Sequence, residues 1–141
     1  MLKELAIWIR DRVNGLGASP ALVIGGNLQV GFRALDAPVR CHALLDSGGP
    51  ADFDLPYRGD MMIQVATRGP QGDYEQTRDD AWAVYNAIEG TSGWMIGPLV
   101  SGGQQYKIWS IGAMAKPQYL GGNALGDHEF STNYLIHASP V

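Results

Sequence analysis

The residue pattern predicts an α+β domain, a mainly antiparallel mixed sheet with two helices on one of its faces. Three observations lead there. Two stretches, one at the N-terminus and one from Asp73 to Gly90, show helical periodicity with recognisable ends. Six other stretches alternate at period two, as half-buried strands do. The helices are separated by runs of strands, in the order α-β-β-β-α-β-β-β, which is the pattern of α+β folds and not of parallel βαβ units. At 141 residues, 45% hydrophobic and 17% charged, the chain is sized for one domain, 1–141, able to bury a core without disulfides or metals.

Taken in order, Leu2, Leu5, Ile9, Val13 and Leu16 form one helical stripe, opposed by Lys3, Arg10, Asp11 and Asn14, and Asn14-Gly15 ends the helix. Leu28, Val30 and Phe32 then alternate with Gln29, Gly31 and Arg33 as a first strand, and Asp36-Ala37-Pro38 reads as its turn. Val39, Cys41, Ala43 and Leu45 follow within hairpin distance, so the second strand is expected antiparallel to the first, with Cys41 on the apolar face and His42 at the surface. The segment of about 46–58 is a long loop carrying the apolar residues Phe53, Leu55 and Tyr57, and such loops in compact domains serve contact more often than connection.

The stretch 60–90 is the most self-consistent. Met61, Ile63, Val65 and Thr67 alternate with Met62, Gln64, Ala66 and Arg68 in a strand with one strongly buried face. Asp73 stands at an N-cap, with Gln76 three residues on and Glu75 in the first turn, where the helix dipole favours negative charge. Tyr74, Thr77, Ala81, Val84, Tyr85 and Ile88 form the inward stripe of the second helix, and Gly90 follows its end. Trp94–Ile96, Tyr106–Met114 and a closing strand from about Glu129 to Ala138 complete the sheet, with a glycine-rich loop at about 115–128 between the last two. The sheet face away from the helices is expected to carry Leu44, Met62 and Leu135, more apolar surface than water favours, and therefore to be covered by other subunits.

Composition narrows the function. A net charge of −4 with ten scattered Lys and Arg disfavours a nucleic-acid backbone as the main partner. Cys41 is the single cysteine, so no internal disulfide forms, and a reducing compartment suits the chain. Charges every few residues in MLKELAIWIRDRV exclude a signal peptide there, and no run approaches the roughly 20 apolar residues of a membrane span. The expected site of synthesis is the cytoplasm.

Motifs that carry chemistry are sparse. Asp46-Ser47-Gly48-Gly49-Pro50 resembles the surroundings of a chymotrypsin-like serine nucleophile, but that family needs two β-barrels with a histidine far upstream of the serine, whereas 46 residues precede Ser47 and His42 is the one histidine among them. Asp46, Asp52, Asp54 and Asp60 lack the spacing and closing glutamate of an EF-hand loop. His128 and His137 have no companions at zinc-ligand spacing, and the paired glycines form no phosphate cradle. No cofactor or metal is expected, and the chain is read as a non-enzyme. A pocket lined by Trp82, Trp94 and Trp109 would be needed for a small-molecule binder, against the plainer reading of packed tryptophans.

The amphipathic first helix, the LLDSGGP end of the second strand, the unit MMIQVATRG…GDYEQTRDDAWAVYNAIEG and the late KPQYLGGNALGDHEFSTNYLIHA together resemble the bacteriophage tail terminator and tail-completion proteins over most of the chain. That resemblance implies a structural virion protein, made in the bacterial host and assembled as a closed ring, usually a homohexamer. The ring would sit at the head-proximal end of a tail tube, stop tube polymerisation and offer a surface to the head-completion or connector protein. DNA would pass through its channel without specific binding. The two long loops become candidate contact arms, with Phe53, Leu55, Tyr57, Tyr119 and Leu120 as apolar anchors and Arg58 as a polar clamp. Met62 and Gln64 become candidates for a covered or channel-lining sheet face. A head-tail connector or stopper subunit is the nearest alternative reading, and a serine hydrolase centred on Ser47 a more distant one.

Overall fold

The computed structural model describes residues 1–46 and 59–141. In chain order the elements are α1 (Leu2–Gly15), β1 (Leu28–Val30), β2 (Cys41–Asp46), β3 (Gly59–Gly69), α2 (Tyr74–Ile88), β4 (Trp94–Ile96), β5 (Tyr106–Ala113), β6 (Gln118–Gly122) and β7 (His128–Pro140). The strands form one mixed sheet in the order β1-β2-β3-β7-β5-β4, with β6 paired to β7 beside that path.

The long strands β3 and β7 are its spine, antiparallel from Gly59↔Ala138 to Gly69↔His128. Both are longer than any other strand, and β7 shares its second edge between two partners. β5 pairs with it from Tyr134 to Pro140 and β6 from His128 to Ser131. On one face of this spine Ile63, Val65, Tyr134 and Ile136 join Leu44 and Ile111 in a single core with Leu5, Ile9 and Val13 of α1 and Val84 and Ile88 of α2. The helices also touch directly. Arg12 lies over the rings of Trp8 and Trp94 and donates from Nε to the carbonyl of Ala87, a last-turn acceptor of α2 that has no partner within the helix.

The second helix starts and ends as its sequence predicts. Asp73 Oδ1 accepts the backbone N–H of Gln76 at 3.0 Å, and Gly90 takes a left-handed φ of 70° just beyond the C-cap. The phase of β3 is also as expected, with Ile63, Val65 and Thr67 buried and Met62, Gln64, Ala66 and Arg68 partly exposed.

Three expectations need correction. β1 and β2 are parallel, Leu28 opposite His42 and Val30 opposite Leu44, so the chain between them is a crossover and not a hairpin turn. Alternation marks a strand but carries no information on direction, and residues 31–40 are long enough to return to the same end of the sheet. Second, β2 has the opposite phase. His42 and Leu44 face the core, while Cys41, Ala43 and Leu45 share a face with Arg68, Ala66 and Gln64. Both faces of β2 are covered, so apolar residues alternate with apolar residues and the pattern cannot choose a side. Leu44 therefore belongs to the core and not to the outer face. Third, the loop expected at 115–128 contains β6, a seventh strand whose brief Gln-Tyr-Leu run is masked in the sequence by the glycines after it.

Candidate assembly surfaces

Three surfaces carry the residues that the sequence singled out, or that it overlooked. Phe53, Leu55, Tyr57 and Arg58, and with them Ser47, lie outside the described residues. Met62 and Gln64 lie on the face of β3 turned away from the core. Met62 is opposite Leu135, and Gln64 lies between Leu45 and Asn133. Gln64 is not a free hook, since its Nε2 donates to Ser131 Oγ at 2.6 Å. Met62, Leu45 and Leu135 are each half-exposed, an apolar triplet in the middle of this open face.

Tyr119 and Leu120 lie elsewhere, on β6. Tyr119 pairs with Phe130, whose side chain is on the core side opposite Thr67, so the two pairs of candidates are carried by different faces of the sheet and do not converge. Tyr119 packs against Tyr74, Phe130 and His128, with ring centroids 5.1, 5.2 and 5.8 Å away. Hydrogen bonding fixes this cluster and the tautomer within it. His128 Nε2 is 2.8 Å from the carbonyl of Gln71, which only accepts, so Nε2 carries the proton. Nδ1 is then the acceptor for the Tyr119 hydroxyl, also at 2.8 Å. The result ties β6 to the entry of α2 and leaves Leu120, at the β-bulge, pointing into solvent at 59% exposure.

The crossover at 31–40 was missed by sequence reasoning. It forms a strap over the open face at the β1–β2 side, held by Arg68, which donates to the carbonyls of Ala37, Pro38 and Val39, and by the Arg33–Glu129 ion pair at 2.9 Å. Gln29, whose Oε1 accepts the Ala34 N–H of the strap, is buried, as are Cys41 and Ala43 on the same face, while Phe32 and Leu35 are exposed, Leu35 without any shielding. The only local sign of this was a leucine set among turn residues in Ala-Leu-Asp-Ala-Pro.

A cleft of about 530 Å3 opens between the loop 18–22, the start of β2 and α2. Arg40 crosses it, its Nε and Nη2 bound to the two carboxylate oxygens of Asp80 at 2.8 and 2.9 Å. His42 forms part of its wall, expected at the surface but buried, with Nδ1 2.8 Å from Thr67 Oγ1. Burial pushes its pKa down to about 4, against the opposing pull of Asp80. The imidazole is thus neutral, bound to Thr67 and walled off by the Arg40–Asp80 pair.

The tryptophans do not share a pocket. Trp94 meets Trp8, Trp82 meets Tyr85, and Trp109 donates to Ser139 on the open face. Among the described residues no cluster of His, Cys, Asp and Glu could hold a metal ion, and no helix is long and apolar enough to cross a membrane. No family model matches the chain, and no curated protein matches it.

Proposed function

We propose that this protein is a ring-forming structural subunit that caps a phage tail tube at its head-proximal end, as the resemblance to tail terminators implies. The observation that supports the reading best is the amount of large apolar side chain left in water by a well-packed core. Leu35, Leu120, Leu125, Val100 and Phe32 are all more than half exposed, and they are grouped on the strap, on and around β6, and near β4. Single exposed hydrophobic residues are ordinary, whereas several groups of them mark surfaces made for other chains.

The terminator task is geometric. One end of the ring fits the last tube ring, and the other must not resemble a tube subunit, so that growth stops. Ring closure needs head-to-tail contacts between copies, and such contacts join two different surfaces of the same chain. The partners are further copies of this chain, the tail tube protein and the head-completion protein, in the virion. DNA would pass without sticking, in keeping with a net charge of −4.

The decisive experiment is electron microscopy of particles assembled without this protein. Overlong or headless tails are the expected result. Tails of normal length joined to heads would sink the proposal.

A further inference from the structure

The outer edge of β6 is unusual for a free strand. Among the described residues β6 is hydrogen-bonded on one side only, to β7, and although Lys116-Pro117 precede it, the strand itself, Gln-Tyr-Leu-Gly-Gly, contains no charge and no proline. Natural sheets guard open edges with lysine, proline, or a covering segment, because an unguarded edge invites another chain. Here lysine and proline stand only at the strand's entry, no other described segment pairs with its outer edge, and apolar side chains flank it: Leu120 on the strand, Met114 before it and Leu125 after it are all strongly exposed. The strand is also rigid, through the Tyr119–His128–Gln71 hydrogen bonds, so little order is lost when something binds.

The strap has matching properties on the other side of the sheet. The strand register sets both on one row. Cys41, which follows the strap, is opposite Arg68, Arg68 is opposite Glu129, and Glu129 is opposite Gly121 of β6. The strap is likewise held rigid, by Arg68 and Arg33, with Leu35 and Phe32 outward. The charges are complementary. The strap's Asp36 and Lys116 beside β6 form no ion pair among the described residues, although the Lys116 ammonium lies 6.0 Å from the Trp82 ring centroid, whereas the other strap charges, Arg33 and Arg40, are already paired.

We infer that the strap of one copy docks on the β6 edge of the next, Leu35 and Phe32 covering Tyr119 and Leu120, and Asp36 meeting Lys116. This is a heterologous contact, and its occupant is a second copy of this chain. The inference rests on the ring proposed above and assigns the two surfaces that would close it.

Cysteine cross-linking of the full chain tests it. A mixture of Leu35→Cys and Leu120→Cys chains, oxidised at high protein concentration, should give a covalent dimer containing one of each. Each variant alone should give no covalent dimer, and a chain carrying both substitutions should give a ladder ending at the closed ring. The charge pair provides a second measurement. In the doubly substituted chain Asp36→Lys or Lys116→Asp alone should lower ladder yield about tenfold, and the two together should restore it. Dimers of Leu120→Cys with itself would mean β6-to-β6 pairing and would overturn the inference, as would cross-linking of Leu120→Cys to the tail tube protein only, or no ladder at all. If tails overrun without the protein yet no ladder forms, the contact is wrong and the capping function stands. A ladder together with tails of normal length would have the opposite meaning.

Discussion

At position 42 a neutral imidazole lies 2.8 Å from the Thr67 hydroxyl with almost no water around it, and charging it there would put a cation beside Arg40 in a dry wall. The folded protein resists that charge, so its His42 pKa of about 4 lies below the ordinary 6.5 of the unfolded chain. Above pH 6.5 both states are neutral and the full stability is present. As pH falls from 6.5 towards 4 the unfolded state takes up a proton that the folded state refuses, and stability is lost, by about 3 kcal/mol if no relaxation intervenes. Urea unfolding at pH 7 and pH 4.5 measures this. His42→Asn keeps an acceptor for Thr67 and cannot titrate, so its stability should fall less over the same interval, and equal falls in the two proteins would refute the assignment. The sequence could not announce this residue. One histidine in a strand whose two faces are both covered shows no phase, and the Asp80 that walls it off is on a helix far along the chain.

Among the elements, the joint between β3 and α2 is the tightest. A side chain at Gly69 would collide with Thr77, whose hydroxyl is committed to the carbonyl of Asp73 at 2.9 Å. The first turn of α2 therefore approaches the end of β3 as closely as glycine allows. Gly69→Ala should cost about 1–3 kcal/mol through overpacking. Adding Thr77→Ala should recover part of that loss, with a coupling above about 0.5 kcal/mol in thermal or urea unfolding of the four proteins of the cycle. Strict additivity would mean that the helix shifts without hindrance. This joint was legible in the sequence because its signals are local: the alternation of Met61 to Thr67, the Gly-Pro-Gln-Gly break and the cap at Asp73 all lie within one short stretch. The direction of β1 and the existence of β6 were not. Parallel pairing of Leu28 with His42 depends on where the strap goes, and the strap is placed by Arg68 and Glu129 from strands much later in the chain. β6 exists because β7 is longer than β5 and leaves the edge from His128 to Ser131 to be filled.

On the scale of the whole molecule, the candidate surfaces were only partly readable for the same reason. Met62 and Gln64 follow from the phase of β3, and the face that carries them is the open one. Tyr119 and Leu120 were expected as apolar anchors in a loop and lie exposed on a strand edge. Phe32 and Leu35 had no pattern to mark them, since a leucine turned outward looks in sequence like any leucine. The open face around Met62 separates folding from assembly. Met62, Leu45 and Leu135 are half-exposed and stand outside the shared core of α1, α2 and the spine strands, so folding of the single chain gains little from them. In a ring that covers this face the same three side chains would be desolvated, and a carboxylate among them would be buried without a partner. Met62→Glu should accordingly change the unfolding free energy of the isolated chain by no more than about 0.5 kcal/mol, as surface substitutions do. Rings on tail tubes should nevertheless be lost. Substitution of the neighbouring Ile63 by Ala, which empties the core, should do the reverse: it should cost about 2–5 kcal/mol in unfolding. The chains that do fold would still assemble. If Met62→Glu chains join tails as well as the unsubstituted protein does, the open face is free in the particle, and the ring must be held by its edges alone.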